Sequence, residues 1–341
     1  MKAIVYTEYG PPEVLGVKEV PLPKPKEGEV LIKIRATPVN FGDLMARNFG
    51  NVSLQNFNMP FAFYFPARLY FGYSRPKQGV LGSEFSGDIV AVGKGVERFK
   101  VGDAVFGYRG QAMGAYAEYL CMAESGTLTH KPSNMSYKEA ATVPYGAITA
   151  LNLLRKVDIK KGEKVLINGA SGSIGSYAVQ LSKHYGAEVT GVCSTPRVEW
   201  VRAMGADRVI DYTREDFTEN KQTYDLIFDV LGKSSFHRCK ASLKPNGRYL
   251  LASFKSRQLW QMLTTKLAGD KKVICALSTD KVEDLEHIKE LVEANVITSV
   301  IDKTFSMDQA ADAHRYIESG LKKGNIVIVM DHDETKEHPQ E

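Results

Sequence analysis

The chain has 341 residues, of which 44 are Lys or Arg and 40 are Asp or Glu, so its formal net charge is +4. This length predicts two domains and a core that is stable without disulfide bonds or a structural metal. With 43% hydrophobic and 25% charged residues, the composition excludes a disordered chain, a fibrous repeat and a disulfide scaffold. The cationic residues are spread along the chain, so no nucleic-acid partner is expected.

The compartment is predicted from the N-terminus and the cysteines. No apolar stretch reaches the roughly 20 residues of a membrane-spanning helix, and Met1–Tyr6 has no signal-peptide pattern. The four cysteines lie far apart, at Cys121, Cys193, Cys239 and Cys275. Widely spaced single thiols are typical of core residues in a reducing compartment, so we expect a cytoplasmic location.

The first part of the chain, to about residue 125, has the pattern of short β-strands. Val30–Arg35 alternates apolar and polar residues, and Phe85–Val92 and Tyr116–Leu120 have strand-like compositions. Glycines separate these runs. The pattern predicts a small barrel or sandwich.

From about Ser136 the pattern changes to short apolar runs that alternate with segments of helical length. Continuous apolar runs indicate strands that are buried on both faces of a parallel sheet. Six such runs predict a doubly wound domain: Val165–Ile167, Val189–Cys193, Val209–Ile210, Leu226–Phe228, Tyr249–Leu251 and Val273–Cys275.

The last 60 or so residues again have a mixed pattern. Ser306–Gln309 has the sequence of a capping box, which predicts a helix that ends at Gly320. A final strand is predicted over Ile326–Met330.

The loop between the first apolar run and the next helix has a glycine pattern. In a GxGxxG fingerprint, the second glycine lets the backbone approach a pyrophosphate and the third lets the helix pack on the strand. Gly172 and Gly175 occupy these positions, while Ala170 takes the first position and Gly169 precedes it. The loop therefore predicts a dinucleotide site. The alternative is a glycine-rich turn in another α/β fold, such as a methyltransferase.

The end of the second strand predicts which dinucleotide binds. An NAD enzyme usually has Asp or Glu there to bind the ribose 2′-hydroxyl. The segment from Gly191 to Arg197 contains no carboxylate and ends in a cation. A charge-assisted hydrogen bond of about 1.5–3 kcal/mol would favour NADPH by roughly ten- to a hundredfold. The alternative is a solvated arginine at a helix start.

Five segments are informative together: Val39–Asp43, Leu81–Gly87, Phe99–Val105, Pro144–Ala150 and the glycine loop. They resemble the medium-chain dehydrogenase/reductase superfamily, specifically its zinc-free quinone oxidoreductase branch. The resemblance covers essentially the whole chain. It implies an α/β protein in which a GroES-like, β-rich catalytic domain (1–124 and 279–341) surrounds a Rossmann domain (125–278) with a six-stranded parallel sheet. It also implies a homodimer and a cofactor bound between the domains.

The chain departs from the zinc-dependent relatives at the metal positions. Asn40 stands where those enzymes have Cys, and Ser83 stands where they have His, although Glu84 is kept. No Cys lies near Val143 or Pro144, where the family has its third ligand. The segment that would hold a structural zinc is reduced to residues 106–113 and contains no Cys. Because catalytic zinc needs about three N, S or O ligands, no metal is expected.

The resemblance also implies which residues bind NADP(H). Asn40 and Asp43 would line the nicotinamide side, Arg197 and Tyr212 would hold the 2′-phosphate, and Gly232 would pass under the ribose. The remaining candidates are Thr149 and Ser253 near the nicotinamide, Gly169, Gly172, Ser173 and Ile174 at the pyrophosphate, Ser194 after the second strand, and Asn325 near the end of the chain. Each of them has an alternative as an ordinary loop or core residue.

Without zinc there is no strong Lewis acid to polarise an alcohol or a plain ketone. The easier reaction is hydride transfer to a quinone or to the β-carbon of an enone, so the expected substrate is a small hydrophobic electrophile. Asn40 is the candidate donor to the developing oxyanion, with a structural role as the alternative. A metal-independent alcohol or aldehyde oxidoreductase and a non-enzymatic, zeta-crystallin-like NADPH-binding protein are the other hypotheses.

Residues 61–73 include seven aromatic residues among thirteen. One interpretation is an apolar wall for a quinone or aromatic enone, with Tyr64 or Tyr70 as a donor. The second is local packing or a dimer contact. The third, and least favoured, is a peripheral membrane contact.

Overall fold

The computed structural model describes residues 1–57 and 59–330, apart from the side chain of residue 268. Residues 331–341, the end of the predicted C-terminal catalytic segment, lie outside the described residues. The described chain forms a six-stranded sheet, a seven-stranded sheet and a two-stranded sheet.

The N-terminal part is β-rich, as predicted. Its strands are β1 (Lys2–Val5), β2 (Gly16–Glu19), β3 (Glu29–Pro38), β4 (Glu84–Val92), β5 (Ala104–Tyr108), β6 (Tyr119–Ala123) and β7 (Leu128–His130). Two helices, α1 (Phe41–Arg47) and α2 (Tyr64–Phe71), lie between β3 and β4. In β3, Val30, Ile32 and Ile34 are fully buried, which is the alternation read from the sequence.

The middle part alternates strands and helices. The helices are α3 (Tyr137–Ala141), α4 (Pro144–Arg155), α5 (Ser173–His184), α6 (Val198–Ala203), α7 (Phe236–Cys239) and α8 (Ser256–Ala268). The strands are β8 (Lys164–Asn168), β9 (Glu188–Cys193), β10 (Arg208–Asp211), β11 (Tyr224–Asp229), β12 (Leu243–Leu251) and β13 (Lys272–Cys275). They form a parallel sheet in the order β10-β9-β8-β11-β12-β13. The predicted doubly wound, six-stranded sheet is therefore confirmed.

The C-terminal part returns to the first sheet. It comprises α9 (Val282–Glu293), β14 (Ile301–Ser306), α10 (Ala310–Glu318) and β15 (Asn325–Val329). The seven-stranded sheet has the order β14-β15-β3-β4-β5-β7, with β6 also paired to β3. Both ends of the chain thus build one sheet. Helix α9 instead packs in the hydrophobic core beside the parallel sheet, where Leu285 and Ile288 are buried. The domain boundaries near residues 124 and 278 stay a prediction.

One predicted strand boundary is wrong. The strand expected over Tyr116–Leu120 begins at Tyr119. Tyr116 instead lies in an irregular crossing, where its backbone N–H donates to Leu81 and its carbonyl accepts from Ile4. Tertiary hydrogen bonds therefore override the local strand preference here. Within the described residues, no helix has the length and apolar character needed to span a bilayer.

Candidate cofactor and active site

The glycine loop is a tight turn between β8 and α5. Gly169 has φ +91°, a conformation that favours glycine. A Cβ on Gly175 would lie 2.1 Å from the carbonyl oxygen of Gly169, so only glycine allows this helix to approach the strand so closely. Gly172 precedes the first residue of α5. These roles are the ones predicted for a dinucleotide loop.

An unsatisfied polar atom lies at the start of α5. The Ser173 hydroxyl is buried and has no hydrogen-bond partner in the described part of the chain, and partly buried Ile174 follows it. A buried hydroxyl at a helix N-terminus is suited to an anionic ligand, because the helix also offers free N–H groups and a partial positive charge. The loop therefore fits the pyrophosphate of a dinucleotide.

A cavity of about 250 Å³ lies at the carboxyl ends of the parallel strands. Its lining includes Asn168, Val192, Tyr212, Lys233, Ser234 and Arg238. In open α/β sheets, ligands bind in the crevice outside these strand ends. The position therefore fits the nucleoside part of a dinucleotide.

Asp229, which the sequence analysis missed, organises the loop after β11. Its buried carboxylate accepts hydrogen bonds from Asn168 Nδ2 at 3.0 Å, Gly232 N at 3.1 Å and Ser234 N at 2.9 Å. A Cβ on Gly232 would lie 2.7 Å from the carbonyl oxygen of Ser253, so the loops after β11 and β12 touch. The structure thus brings the predicted residues Gly232 and Ser253 together. An acidic residue at the end of a buried apolar run was the available sequence signal.

Arg197 lies at the end of β9, beside the glycine loop. Its Nε donates to Lys322 O at 3.0 Å and its Nη2 to Gly320 O at 2.5 Å, while Nη1 is 3.5 Å from Ser171 Oγ. The guanidinium therefore ties the segment after α10 to the cofactor loop.

Ser194 and Tyr212 lie at the same strand end. The Arg197 N–H donates to Ser194 O at 2.9 Å, and the Tyr212 N–H donates to Cys193 O at 3.0 Å. A carboxylate is also present, because Asp211 at the end of β10 accepts from Thr195 Oγ1 at 2.5 Å. That hydrogen bond lowers the pKa of Asp211. The prediction that no carboxylate lies here considered only β9, whereas Asp211 comes from the neighbouring strand β10.

Asn40 and Glu84 meet where β3 and β4 approach the parallel sheet. Asn40 precedes α1, and its Nδ2 donates to Glu84 Oε2. The other carboxyl oxygen, Oε1, accepts from the backbone N–H of Tyr145 at 2.6 Å. Glu84 is fully buried. The two N–H donors fix the carboxyl group, and the carboxyl group in turn orients the Asn40 amide.

Two buried carboxyl groups belong to this site. Asp43 accepts from Asn40 N at 2.8 Å and from Gly82 N at 3.0 Å, and it also has a hydrogen bond from Tyr116. Burial raises the pKa of Asp43 to about 6 and that of Glu84 to about 8. Burial thus favours the protonated form of both groups, and of Glu84 more than of Asp43.

A series of buried hydrogen-bonded side chains leads from Arg47 through His314 and Tyr116 to Asp43. Arg47 Nη1 lies 3.0 Å from His314 Nδ1, and His314 Nε2 lies 3.2 Å from the Tyr116 hydroxyl. Because arginine only donates, Nδ1 accepts and Nε2 carries the proton. The Tyr116 hydroxyl can then donate to Asp43. Burial, together with the charge of Arg47, lowers the pKa of His314 to about 3, which keeps the ring neutral.

Helix α4 connects the two halves of the site. A Cβ on Gly146 would lie 2.6 Å from the carbonyl oxygen of Ser173, so α4 packs directly on the glycine loop. The helix also carries the buried candidate Thr149. Its second residue, Tyr145, faces Tyr108 with ring centroids 5.7 Å apart. The sequence analysis assigned no role to these two tyrosines.

Asn325 is the first residue of β15. Its Nδ2 donates to Ser299 Oγ at 3.2 Å, and its backbone N–H donates to Val300 O at 2.8 Å. Its side chain thus joins β15 to the segment before β14, and its cofactor role stays a prediction.

The aromatic segment has an inner and an outer face. Tyr64, Ala67 and Phe71 pack against the cluster of Phe49 and Phe57. The outer face exposes Phe61, Phe63, Phe65, Leu69, Tyr70 and Tyr73. The inner face is local packing, one of the alternatives considered, whereas a substrate, dimer or membrane contact of the outer face stays a prediction.

The Tyr64 hydroxyl is engaged within the protein. It donates to Val52 O at 3.0 Å and accepts from Arg68 Nη2 at 3.1 Å. A donor role toward a substrate would require the bond to Val52 to break.

Two family models match the chain. The alcohol dehydrogenase GroES-like domain matches residues 26–133, and the zinc-binding dehydrogenase model matches residues 204–328. Quinone-oxidoreductase QR1, chloroplastic, from Triphysaria versicolor is 31% identical over 96% of this chain and 98% of its own length. The NADPH-dependent alkenal/one oxidoreductase, chloroplastic, from Arabidopsis thaliana is 29% identical over 96% of this chain and 79% of its own length. The solved quinone oxidoreductase from Coxiella burnetii superposes with a TM-score of 0.83 and 27% identity, covering 97% and 99% of the two chains.

The fold and the dinucleotide loop define a medium-chain dehydrogenase/reductase. Within that superfamily, the chain belongs to the quinone oxidoreductase-like branch. It is an α/β protein with a GroES-like β-rich sheet and a parallel Rossmann sheet, as the resemblance implied. An oxidoreductase that uses a nicotinamide dinucleotide is the coarse activity that this membership supports.

One of the two family models is that of a zinc-binding dehydrogenase, but the donor atoms of this chain differ from those that catalytic zinc needs. Asn40 and Ser83 offer an amide and a hydroxyl where the resemblance implies Cys and His. Both oxygens of Glu84 are taken by N–H donors. Within residues 1–57 and 59–330, no three His, Cys, Asp or Glu side chains converge as a metal site. This donor set does not fit catalytic zinc.

Proposed function

We propose that this protein is an NADPH-dependent oxidoreductase that transfers a hydride to a quinone or an α,β-unsaturated carbonyl compound without a metal. One observation carries the proposal: helix α4 packs on the dinucleotide loop through Gly146, while the preceding residue, Tyr145, donates to Glu84 beside Asn40. A cofactor loop and a metal-free set of polar groups therefore share one wall of the site. Two relatives, a quinone oxidoreductase and an NADPH-dependent alkenal/one oxidoreductase, support the same substrate classes.

The chain's own residues would hold the cofactor. Gly169, Gly172, Ser173 and Ile174 would bind the pyrophosphate, Thr149 and Ser253 would lie on the nicotinamide side, and Asn325 would be a further cofactor contact. When bound, NADPH supplies the hydride and the protein supplies orientation and hydrogen bonds. The Asn40 amide, held by Glu84, would donate to the oxygen that gains charge.

The preference for NADPH is proposed from Arg197, with Ser194 and Tyr212 at the same strand end. The cation faces the glycine loop, and the neighbouring Asp211 carboxylate is already hydrogen-bonded to Thr195. A 2′-phosphate would exchange the Arg197 contacts to backbone carbonyls for a charge-assisted pair, which is stronger.

The experiment measures NADPH and NADH consumption with a panel of quinones, enones, alkenals, aldehydes and alcohols. We expect turnover with quinones or enones and at least tenfold higher kcat/KM for NADPH. The Arg197→Ala variant should raise KM for NADPH about ten- to a hundredfold and leave that for NADH nearly unchanged. Equal use of the two cofactors would refute the preference, and turnover confined to alcohols and plain aldehydes would refute the substrate class.

We also propose a homodimer in a reducing, cytoplasmic environment. Within the described chain, β13 is an edge strand of the parallel sheet and pairs with β12, and sheet edges are common sites of strand pairing. All four cysteines lie among the described residues, where each is a free thiol. Light scattering on the purified protein tests the dimer, and a monomer at micromolar concentration would refute it.

A further inference from the structure

Two tyrosines lie beside the Asn40–Glu84 pair. Tyr108 is the last residue of β5 and is directly opposite Glu84 in the antiparallel pairing of β4 with β5. Tyr145 is bound to the same carboxyl group through its backbone N–H, at 2.6 Å. The two rings are tilted by 35°, with centroids 5.7 Å apart. Both residues are therefore held through their backbones beside the carboxyl group that orients Asn40.

The hydroxyls of this pair differ from those of two fully buried tyrosines. Tyr177 donates to Thr142 O at 3.1 Å, and Tyr249 donates to Asp229 Oδ2 at 3.0 Å. Neither Tyr108 nor Tyr145 has a hydroxyl partner within the described chain, although both side chains are partly buried. Neither hydroxyl is among the enclosed side-chain atoms that lack a partner, so both can be reached from outside the protein. Two adjacent phenols that are accessible and unpartnered beside Asn40 are suited to bind an oxygen atom of a ligand.

The position of Tyr145 places that oxygen near the cofactor loop. Its neighbour Gly146 is in backbone contact with Ser173, which begins α5. The Tyr145 side chain thus belongs to the helix that separates the dinucleotide loop from Glu84. A ligand oxygen bound there lies on the wall shared by the two halves of the site.

We propose that Tyr145, with Tyr108 beside it, donates the hydrogen bond that binds the carbonyl oxygen of the substrate and stabilises its negative charge during reduction. This inference rests on the proposed function. When hydride adds to the β-carbon of an enone, a C–H bond forms there and the π electrons of the C=C bond end on the oxygen. Water then protonates the enolate, which gives the saturated carbonyl compound. In a quinone the same donor faces the oxygen that becomes the hydroquinone anion.

The phenol is suited to donate a hydrogen bond and not to give up its proton. Burial, reinforced by the nearby carboxyl of Glu84, raises the pKa of Tyr145 to about 12. It therefore keeps its proton across the physiological range and remains a donor. A preorganised donor directed at a developing oxyanion typically contributes 10²–10³ in kcat.

The first test compares Tyr145→Phe and Tyr108→Phe with a control, Tyr119→Phe, which removes a hydroxyl from a partly buried tyrosine of β6. We expect Tyr145→Phe to lower kcat for an enone about a hundredfold, with Kd for NADPH unchanged. Tyr108→Phe should show a smaller loss and Tyr119→Phe none. A Tyr145→Phe variant with kcat within twofold of wild type would overturn the inference while leaving the proposed function intact.

The second test does not depend on turnover. The probe is 4-nitrophenolate, a stable oxyanion whose absorbance shifts on binding, titrated in the presence of NADP⁺. We expect Tyr145→Phe to bind it at least tenfold more weakly than wild type does. If wild type reduced no substrate, the proposed function would fail, and the binding comparison would still decide the role of Tyr145. Equal affinity of the two proteins, or no binding by wild type, would overturn the inference.

Discussion

Alanine variants of two glycines in the dinucleotide loop, Gly175 and Gly172, should differ in stability although both should bind NADPH more weakly. In Gly175→Ala, the new methyl group would lie 2.1 Å from Gly169 O and 2.9 Å from Ala170 Cα, both backbone atoms. Helix and loop would have to separate by about 1 Å, at a cost of about 1–3 kcal/mol in the free energy of unfolding. In Gly172→Ala, the nearest atom is 3.3 Å away and φ is −85°, so the fold accommodates alanine. Its methyl group would instead occupy the backbone approach to the pyrophosphate.

Two quantities are measured: the free energy of unfolding in urea without cofactor, and the affinity for NADPH by fluorescence titration. The control is Gly16→Ala, because no atom lies within 4 Å of a Cβ added at Gly16. We expect Gly175→Ala to lose both stability and affinity. Gly172→Ala should keep its stability within about 1 kcal/mol and bind NADPH at least tenfold more weakly, a loss of about 1.4 kcal/mol. Wild-type affinity in Gly172→Ala would refute the assignment of this loop to the pyrophosphate. Unchanged stability in Gly175→Ala would refute the close packing of α5.

Three further predictions concern buried groups of the site and its surroundings. Because burial raises the pKa of Glu84 to about 8, the folded state holds a proton that the unfolded state has lost above pH 4.5, so Glu84 should lower stability between pH 4.5 and 8 by up to about 1.4 kcal/mol per pH unit. Glu84→Gln should reduce this slope in urea unfolding, most clearly between pH 6 and 8, where Asp43 no longer contributes. An unchanged slope there would contradict the burial argument. His314, with a pKa of about 3, binds a proton only on unfolding between pH 6.5 and 3, so stability should fall more steeply over this range in wild type than in His314→Asn. Tyr64→Phe removes the hydrogen bond to Val52 and should cost about 1 kcal/mol with kcat unchanged, whereas a hundredfold loss of kcat would support the donor role instead.

The parallel sheet was predictable because its strands are buried on both faces. Continuous runs such as Val165–Ile167 and Leu226–Phe228 need no tertiary information, and all their side chains are buried in the structure. Short segments in which polar residues interrupt the apolar ones are harder to assign from sequence. Tyr116 is a residue type common in strands, but its backbone hydrogen bonds are to Ile4 and Leu81, which are distant in sequence.

The glycine loop was also predictable as a strand-turn-helix unit, because its residues follow one another along the chain, and its role in cofactor binding stays a prediction. The arrangement of the substrate half of the site was not predictable. Glu84, Tyr108 and Tyr145 come from β4, β5 and α4, and only the sheet register and the helix packing bring them together.

The aromatic segment shows the same limit. Composition identified its apolar character, but only the structure separates the inner Tyr64 from the exposed Phe65.

The active site depends on the C-terminal part of the chain as well as on the strands that carry its residues. Arg47, on the helix that follows Asn40, is 2% exposed, and its guanidinium contacts His314 and Glu318 on α10. Removing α10 would leave that charge buried without its partners, a loss that typically costs 3–5 kcal/mol. It would also remove the ring that holds Tyr116 against Asp43. The return of the chain to the first sheet therefore contributes to the support of Asn40.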